Sequence, residues 1–115
     1  FNMHVDKHLD LDAITTLKEI MEDDFGLLID TFINDGTERL AALSQEIDLG
    51  NADAVRRSAH SFKGSSSNIG ALQLAEQCLY LETKGNANDM TGLKEHLQEV
   101  AQEFSLVKQL LTDLL

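Results

Sequence analysis

The chain of 115 residues contains no proline and no tryptophan, a single cysteine, and nine basic residues against twenty acidic ones. The absence of proline permits long uninterrupted helices. The lone Cys78 cannot form an internal disulfide, which fits a reducing compartment, and a single thiol among apolar neighbours reads as packing. No apolar run approaches the roughly 18 residues of a membrane span, and no secretory leader is legible. Positive charge is scarce, giving a net charge of −11. That argues against binding nucleic acid or anionic lipid through the general surface. The 43 % of hydrophobic residues argues against disorder. The length suits one domain that buries its own core. Met3 reads as the native start, with Phe1 and Asn2 appended before it.

Polar, glycine-bearing stretches at residues 48–53, 65–71 and 84–92 divide the chain into helical pieces. The first, about Asp10 to Met21, places Leu11, Ile14, Leu17, Ile20 and Met21 at helical spacing. The second, about Asp24 to Asp48, carries an apolar stripe from Phe25 to Ile47 and would be about 35 Å long. Gly50 reads as its stop and Asn51 as the cap of the third piece. In that third piece Ala52, Val55, Ala59, Phe62, Ser66 and Ile69 are spaced by threes and fours, a seam that faces a helical core. The fourth piece, about Ala71 to Lys84, carries Leu72, Leu74, Ala75, Cys78, Leu79 and Leu81, and Gly85 reads as its end. The fifth starts near Asp89 or Thr91 and runs to about Leu114. Nothing alternates with a period of two for long enough to suggest a sheet. Short loops between long helices make antiparallel neighbours. The expected fold is therefore all-α: an antiparallel up-down four-helix bundle with an additional short N-terminal helix. Residues 1–9 read as a tail and 10–115 as the domain.

One stretch departs from the acidic background. Residues 54–71, AVRRSAHSFKGSSSNIGA, hold Arg56, Arg57 and Lys63 and no acid. If Ala59 and Phe62 point inward, His60 lies about 100° off the seam and faces out. Arg56, Arg57, Lys63 and Gly64 share its face, and Ser67 extends it by a turn. An exposed imidazole is a nitrogen nucleophile. A lysine one turn along can neutralise a phosphoryl group placed on it. Gly64 removes a side chain beside the ring, and a glycine inside a helix costs about 1 kcal/mol relative to alanine. Arg56 and Arg57 add positive field toward an acidic partner. Each feature alone has an ordinary reading: an exposed helical histidine usually does nothing, and Gly64 could be a packing glycine or a helix end. Their coincidence on one face is what points to phosphate.

AHSFKGSSSNIGA resembles the signature of histidine-containing phosphotransfer (HPt) domains: His-x-Leu-Lys-Gly-Ser/Ala-Ser/Ala, then an apolar residue and a glycine. Here His60, Phe62, Lys63, Gly64, Ser65, Ser66, Ile69 and Gly70 fill it, with Phe62 where leucine is usual. The following LQLAEQCLYLE, residues 72–82, resembles the family's next helix. The resemblance covers about residues 10–114 and extends to short bacterial stand-alone HPt proteins. It implies a phosphocarrier of two-component phosphorelays, in which His60 accepts a phosphoryl group from receiver-domain aspartates and returns it. Lys63 would stabilise the phosphate and Gly64 would clear space for the receiver, while Arg56, Arg57 and Ser67 would lie in the docking surface. The domain would have no ATP site of its own, and no glycine-rich nucleotide loop is present. No cofactor is expected in the chain, since the receiver would supply Mg²⁺ and most of the catalysis. The implied partners are response-regulator receivers or the receiver of a hybrid kinase, with no nucleic acid and no membrane. A monomeric, cytoplasmic protein follows from the same resemblance.

Other candidates are weaker. His4 and His8 stand four apart but lack a third ligand and read as solvated, so no metal site is expected. His96 reads as a surface residue on the last helix. No Glu-x-x-His pair sits on an apolar stripe, as a carboxylate-bridged metal bundle would need. The hydroxyls of Ser65, Ser66 and Ser67 lack a readable base. Leu27 and Ile33 fall toward the polar side of their helix, as docking contacts or as ordinary scattered surface apolars. The competing function is a helical adaptor that docks receivers or kinases without taking phosphate.

Overall fold

The structure, a computed structural model, describes residues 3–115, apart from the side chains of residues 3 and 4. Six α-helices make up the described chain: α1 (Met3–His8), α2 (Leu11–Met21), α3 (Phe25–Asp48), α4 (Ala52–Asn68), α5 (Leu72–Asn86) and α6 (Leu93–Asp113). A single 3₁₀ turn, Glu22–Asp24, joins α2 to α3. The last four helices pack in a ring, α3 on α4, α4 on α5, α5 on α6 and α6 on α3. Their connections are short, as antiparallel neighbours require. α2 lies against α3, and α1 against α5 and α6. The expected all-α four-helix bundle is the fold observed, with α2 as the added N-terminal helix and α1 as one more where a tail was expected.

Local chemistry sets the boundaries. Asp10 caps α2 by accepting from Ala13 N at 3.1 Å, and Asn51 caps α4 by accepting from Ala54 N at 3.1 Å. Gly50 follows α3 with φ +68°, the left-handed geometry that ends helices. Gly85, expected as a stop, lies inside α5 and is buried. A Cβ there would stand 2.8 Å from the Ala52 carbonyl oxygen and 2.9 Å from the Arg56 nitrogen. The glycine lets α5 approach the backbone of α4. The turn after α5 is made instead by Asn88, at φ 55°.

The core is apolar and aromatic. Phe62, fully buried, meets Phe104 edge-on with centroids 5.8 Å apart, and Phe32 packs on the same ring at 5.8 Å. Gly36 leaves room for that ring, since a Cβ there would collide with it. Not every residue of the expected stripes is inside. Ile20, Leu72 and Leu79 are exposed.

The segment read as a tail is folded. Leu9 is 1 % exposed, and Asp10 N donates to Gly70 O at 2.8 Å. His8, read as solvated, is largely buried and donates Nδ1 to Glu103 Oε2 at 2.7 Å. Glu103, itself buried on α6, also accepts from Gln73 Nε2 at 3.2 Å. These bonds pin α1 to α5 and α6. His96 is likewise no free surface group. Its Nε2 lies 3.2 Å from the Gln77 carbonyl oxygen, and its ring packs at a tilt against Tyr80, with centroids 4.3 Å apart. The His4 side chain and residues 1–2 lie outside the described residues.

Candidate functional site

The site is built on the exposed face of α4, in the middle of the helix. Val55, Ala59 and Phe62, all fully buried, fix the rotation of α4 about its axis. That rotation carries His60 outward, and its side chain is 64 % exposed. The face predicted from helical spacing therefore exists, with Arg57, Gly64 and Ser67 exposed beside His60 and Arg56 and Lys63 half-buried at its edge.

Gly64 has open space above it, with nothing within 4 Å of the position a Cβ would take. Neither packing nor a helix end explains this glycine, because α4 continues to Asn68. Ser65 and Asn68, one step around the helix, form a wall of an open groove of about 350 Å³ that is otherwise mainly apolar, lined by Leu17, Met21, Leu28 and Phe32. Leu27 is exposed nearby in the sequence of α3, whereas Ile33 is half-buried.

The basic patch is less basic than residues 54–71 suggest. Asp53, in the first turn of α4, takes both arginines. Arg56 donates Nε at 3.2 Å and an amino group at 3.0 Å to one of its oxygens, and Arg57 pairs with the other. The acid sits one residue before the stretch that looked free of acids.

A second acid joins the site from the neighbouring helix. Glu82 of α5 places Oε2 2.8 Å from His60 Nδ1 and Oε1 2.7 Å from Lys63 Nζ. Its carboxyl is held below the usual carboxylate range, chiefly by the hydrogen bond from Lys63 and also by that from His60, against some desolvation. Ionised, Glu82 can only accept, so Nδ1 carries the proton that it shares. In the neutral form of the ring the other nitrogen, Nε2, then keeps its lone pair. One carboxylate thus orients the imidazole and holds the lysine. Sequence spacing could not reveal Glu82, which stands 22 residues from His60.

Among the described residues, no group of three or more histidines, cysteines and carboxylates is placed to hold a metal ion. No helix among them is long and apolar enough to cross a membrane. Cys78 is buried, and burial pushes its thiol up to about 12, a rise that Ser66 partly offsets.

Comparison with known proteins places the chain in a family. The Hpt domain family matches residues 27–114. Histidine-containing phosphotransfer protein B (HptB) from Pseudomonas aeruginosa PAO1 superposes with a TM-score of 0.89 at 39 % identity, with 92 % of each chain covered. A putative histidine-containing phosphotransfer protein from rice shares the fold at a TM-score of 0.79 and 17 % identity, over 88 % of this chain and 76 % of that one. Pseudo histidine-containing phosphotransfer protein 2 of Oryza sativa subsp. japonica is 30 % identical over 80 residues, 68 % of this chain and 53 % of that protein. The chain therefore spans about half the length of that curated relative. It belongs to the Hpt domain family, whose members are phosphocarrier intermediates of phosphorelays and interact with receiver domains.

Proposed function

We propose that this chain relays phosphoryl groups through His60, taking them from the aspartyl phosphate of a receiver domain and passing them to another receiver. The carrying observation is an exposed imidazole whose Nδ1 is engaged by Glu82, beside a glycine with nothing above it. In acceptance the Nε2 lone pair forms the N–P bond. The P–O bond to the receiver aspartate breaks, and its electron pair stays on the leaving carboxylate. Lys63 offers a cation to the phosphoryl oxygens. The open space over Gly64 admits the receiver's backbone, and the apolar groove beside Ser65 suits an apolar side chain of the partner. Arg56, Arg57 and Ser67 border the same contact.

On this reading the chain contributes the nucleophile and the docking face. The receiver contributes Mg²⁺ and most of the catalysis, and ATP is used only by the kinase upstream. The domain acts as a monomer in the cytoplasm, without nucleic acid or membrane. A second reading, an adaptor that docks partners without carrying phosphate, draws on the word "pseudo" in the name of the rice relative. Against it, this chain keeps His60, Lys63 and Gly64 together on one face.

The test is phosphotransfer from a phosphorylated receiver to wild type and to His60→Gln. Acid-labile, base-stable label on wild type alone is the expected result. Absence of label with every receiver of a panel would leave only the adaptor.

A further inference from the structure

Arg39 of α3 is held more loosely than any cation on the face of α4. Arg56 and Arg57 are bound to Asp53, and Lys63 to Glu82. Arg39 stands 4.0 Å from Asp35, too far for a hydrogen bond. Its Nε is buried with no acceptor among the described residues. Its side chain is still 37 % exposed, so part of it stays open to a partner.

Helix geometry sets where Arg39 stands. Gly36 and Leu43, both buried, mark the line of α3 that faces the core. At about 100° per residue, Arg39 falls about 60° to one side of that line, the side of Asp35 and Glu46. This flank faces α4. Glu46 accepts from Ser58 at 3.0 Å, and Asp35 lines the apolar groove together with Ser65 and Asn68. The two helices run antiparallel, so two turns back from Glu46 on α3 match two turns on from Ser58 on α4. Arg39 is therefore level with Ser65, next to Gly64. Lys63 is drawn to the opposite flank by Glu82 of α5. Gly64, with nothing above it, lies between the two cations.

We propose that Arg39 is a specificity-determining residue that takes a carboxylate from the receiver as it closes over Gly64, and so fixes the register of docking. The proposal rests on the phosphocarrier reading of His60. A guanidinium presents a planar fork of donors that a carboxylate fills with two parallel hydrogen bonds. Closure of the receiver removes water from the pair. A receiver without that carboxylate would leave Arg39 buried and uncompensated, and one with a cation there would be turned away by like charge. The transferred phosphoryl group is served by Lys63 instead, because Glu82 holds both the ring and the lysine on the α5 side.

The experiment takes the receiver that labels wild type fastest and follows transfer to wild type, Arg39→Gln and Arg39→Lys over a range of receiver concentrations. Phosphoramidate, a small donor that needs no docking, loads the same three proteins, and melting curves check their fold. Arg39→Gln should raise the receiver concentration for half-maximal rate about tenfold, the scale of one hydrogen bond to a charged group. The maximal rate, phosphoramidate loading and phosphohistidine lifetime should stay as in wild type. Arg39→Lys keeps the charge without the fork and should recover only part of the loss. Carboxylates around the receiver's phosphorylation site, changed one at a time to amides, should include one whose loss costs nothing further once Arg39 is replaced by glutamine. An unchanged concentration dependence, or additive losses at every receiver carboxylate, would overturn the proposal while leaving the carrier reading intact. Altered phosphoramidate loading or lifetime in Arg39→Gln would assign the guanidinium to the phosphoryl group and overturn the proposal as well. No transfer to wild type from any receiver would overturn the carrier reading, and the proposal with it.

Discussion

Substituting alanine at Gly64 should raise stability and lower transfer at once. The position lies within α4, four residues before its end, and a Cβ there meets nothing within 4 Å. No packing penalty offsets the intrinsic helical preference of alanine, so the variant should be more stable by about 0.5–1 kcal/mol. For a domain of this size that is an increase of roughly 2–5 °C in melting temperature. The same methyl projects from the surface that the receiver must approach, beside the ring of His60. A displacement of the reacting atoms by about 1 Å can cost up to about a hundredfold in rate, so a loss of about tenfold or more in phosphotransfer is expected. Calorimetry and a transfer time course with one receiver, run on the same preparations, read both effects. Transfer at the wild-type rate would refute the claim that the glycine is there for a partner. A lower melting temperature would refute the claim that the space above it is empty. Loss of function through misfolding would move both quantities down together, so the opposed signs are diagnostic.

Other outcomes follow from the packing and the charges. Gly85→Ala should behave in the opposite way to Gly64→Ala, losing about 1–3 kcal/mol in denaturant titration, because its Cβ would press on the backbone of α4 at Ala52 and Arg56. Cys78, with its thiol pushed up to about 12 and buried, should resist alkylation at pH 8 in the folded protein and react promptly once urea unfolds it. Asp89 is held down at about 2, first by Lys84 and then by Thr91. Its contribution to closing the α5–α6 turn is present above its ordinary value of 3.8 and fades as pH falls through about 2. Amide exchange around Thr91 should therefore stay slow at pH 4 in wild type and be fast in Asp89→Asn.

The face of α4 was legible because its signal is local. Apolar residues at threes and fours determine which way the helix turns, and the outward residues follow by rotation. Phe62 in place of the usual leucine changes nothing in this respect, since it is fully buried. What escaped the sequence lies across helices. Glu82 reaches His60 from α5, and Glu103 reaches His8 from 95 residues away. The burial of His8 depends on α1 folding back over α5 and α6, a contact that six residues of helix do not announce. The helical stripes also overstated burial in α5. Leu72 and Leu79 satisfy the period but face outward, because the ring of helices covers only part of α5. Gly85 was misread for the same reason: its meaning lies in the backbone of α4, which local spacing does not see.

The pairing of both arginines with Asp53 has a consequence for how partners arrive. Arg56, Arg57 and Lys63 face Asp53 and Glu82, three positive charges against two negative, so the surface around His60 is close to balanced. Such a surface has little monopole to project beyond a Debye length of about 8 Å at physiological salt. The molecule as a whole, at net −11, would repel an acidic partner at longer range. Electrostatic steering therefore contributes little to encounter, and added salt should leave the association rate unchanged or raise it slightly. Selectivity among partners then falls to short-range fit and to dissociation rather than to capture from a distance.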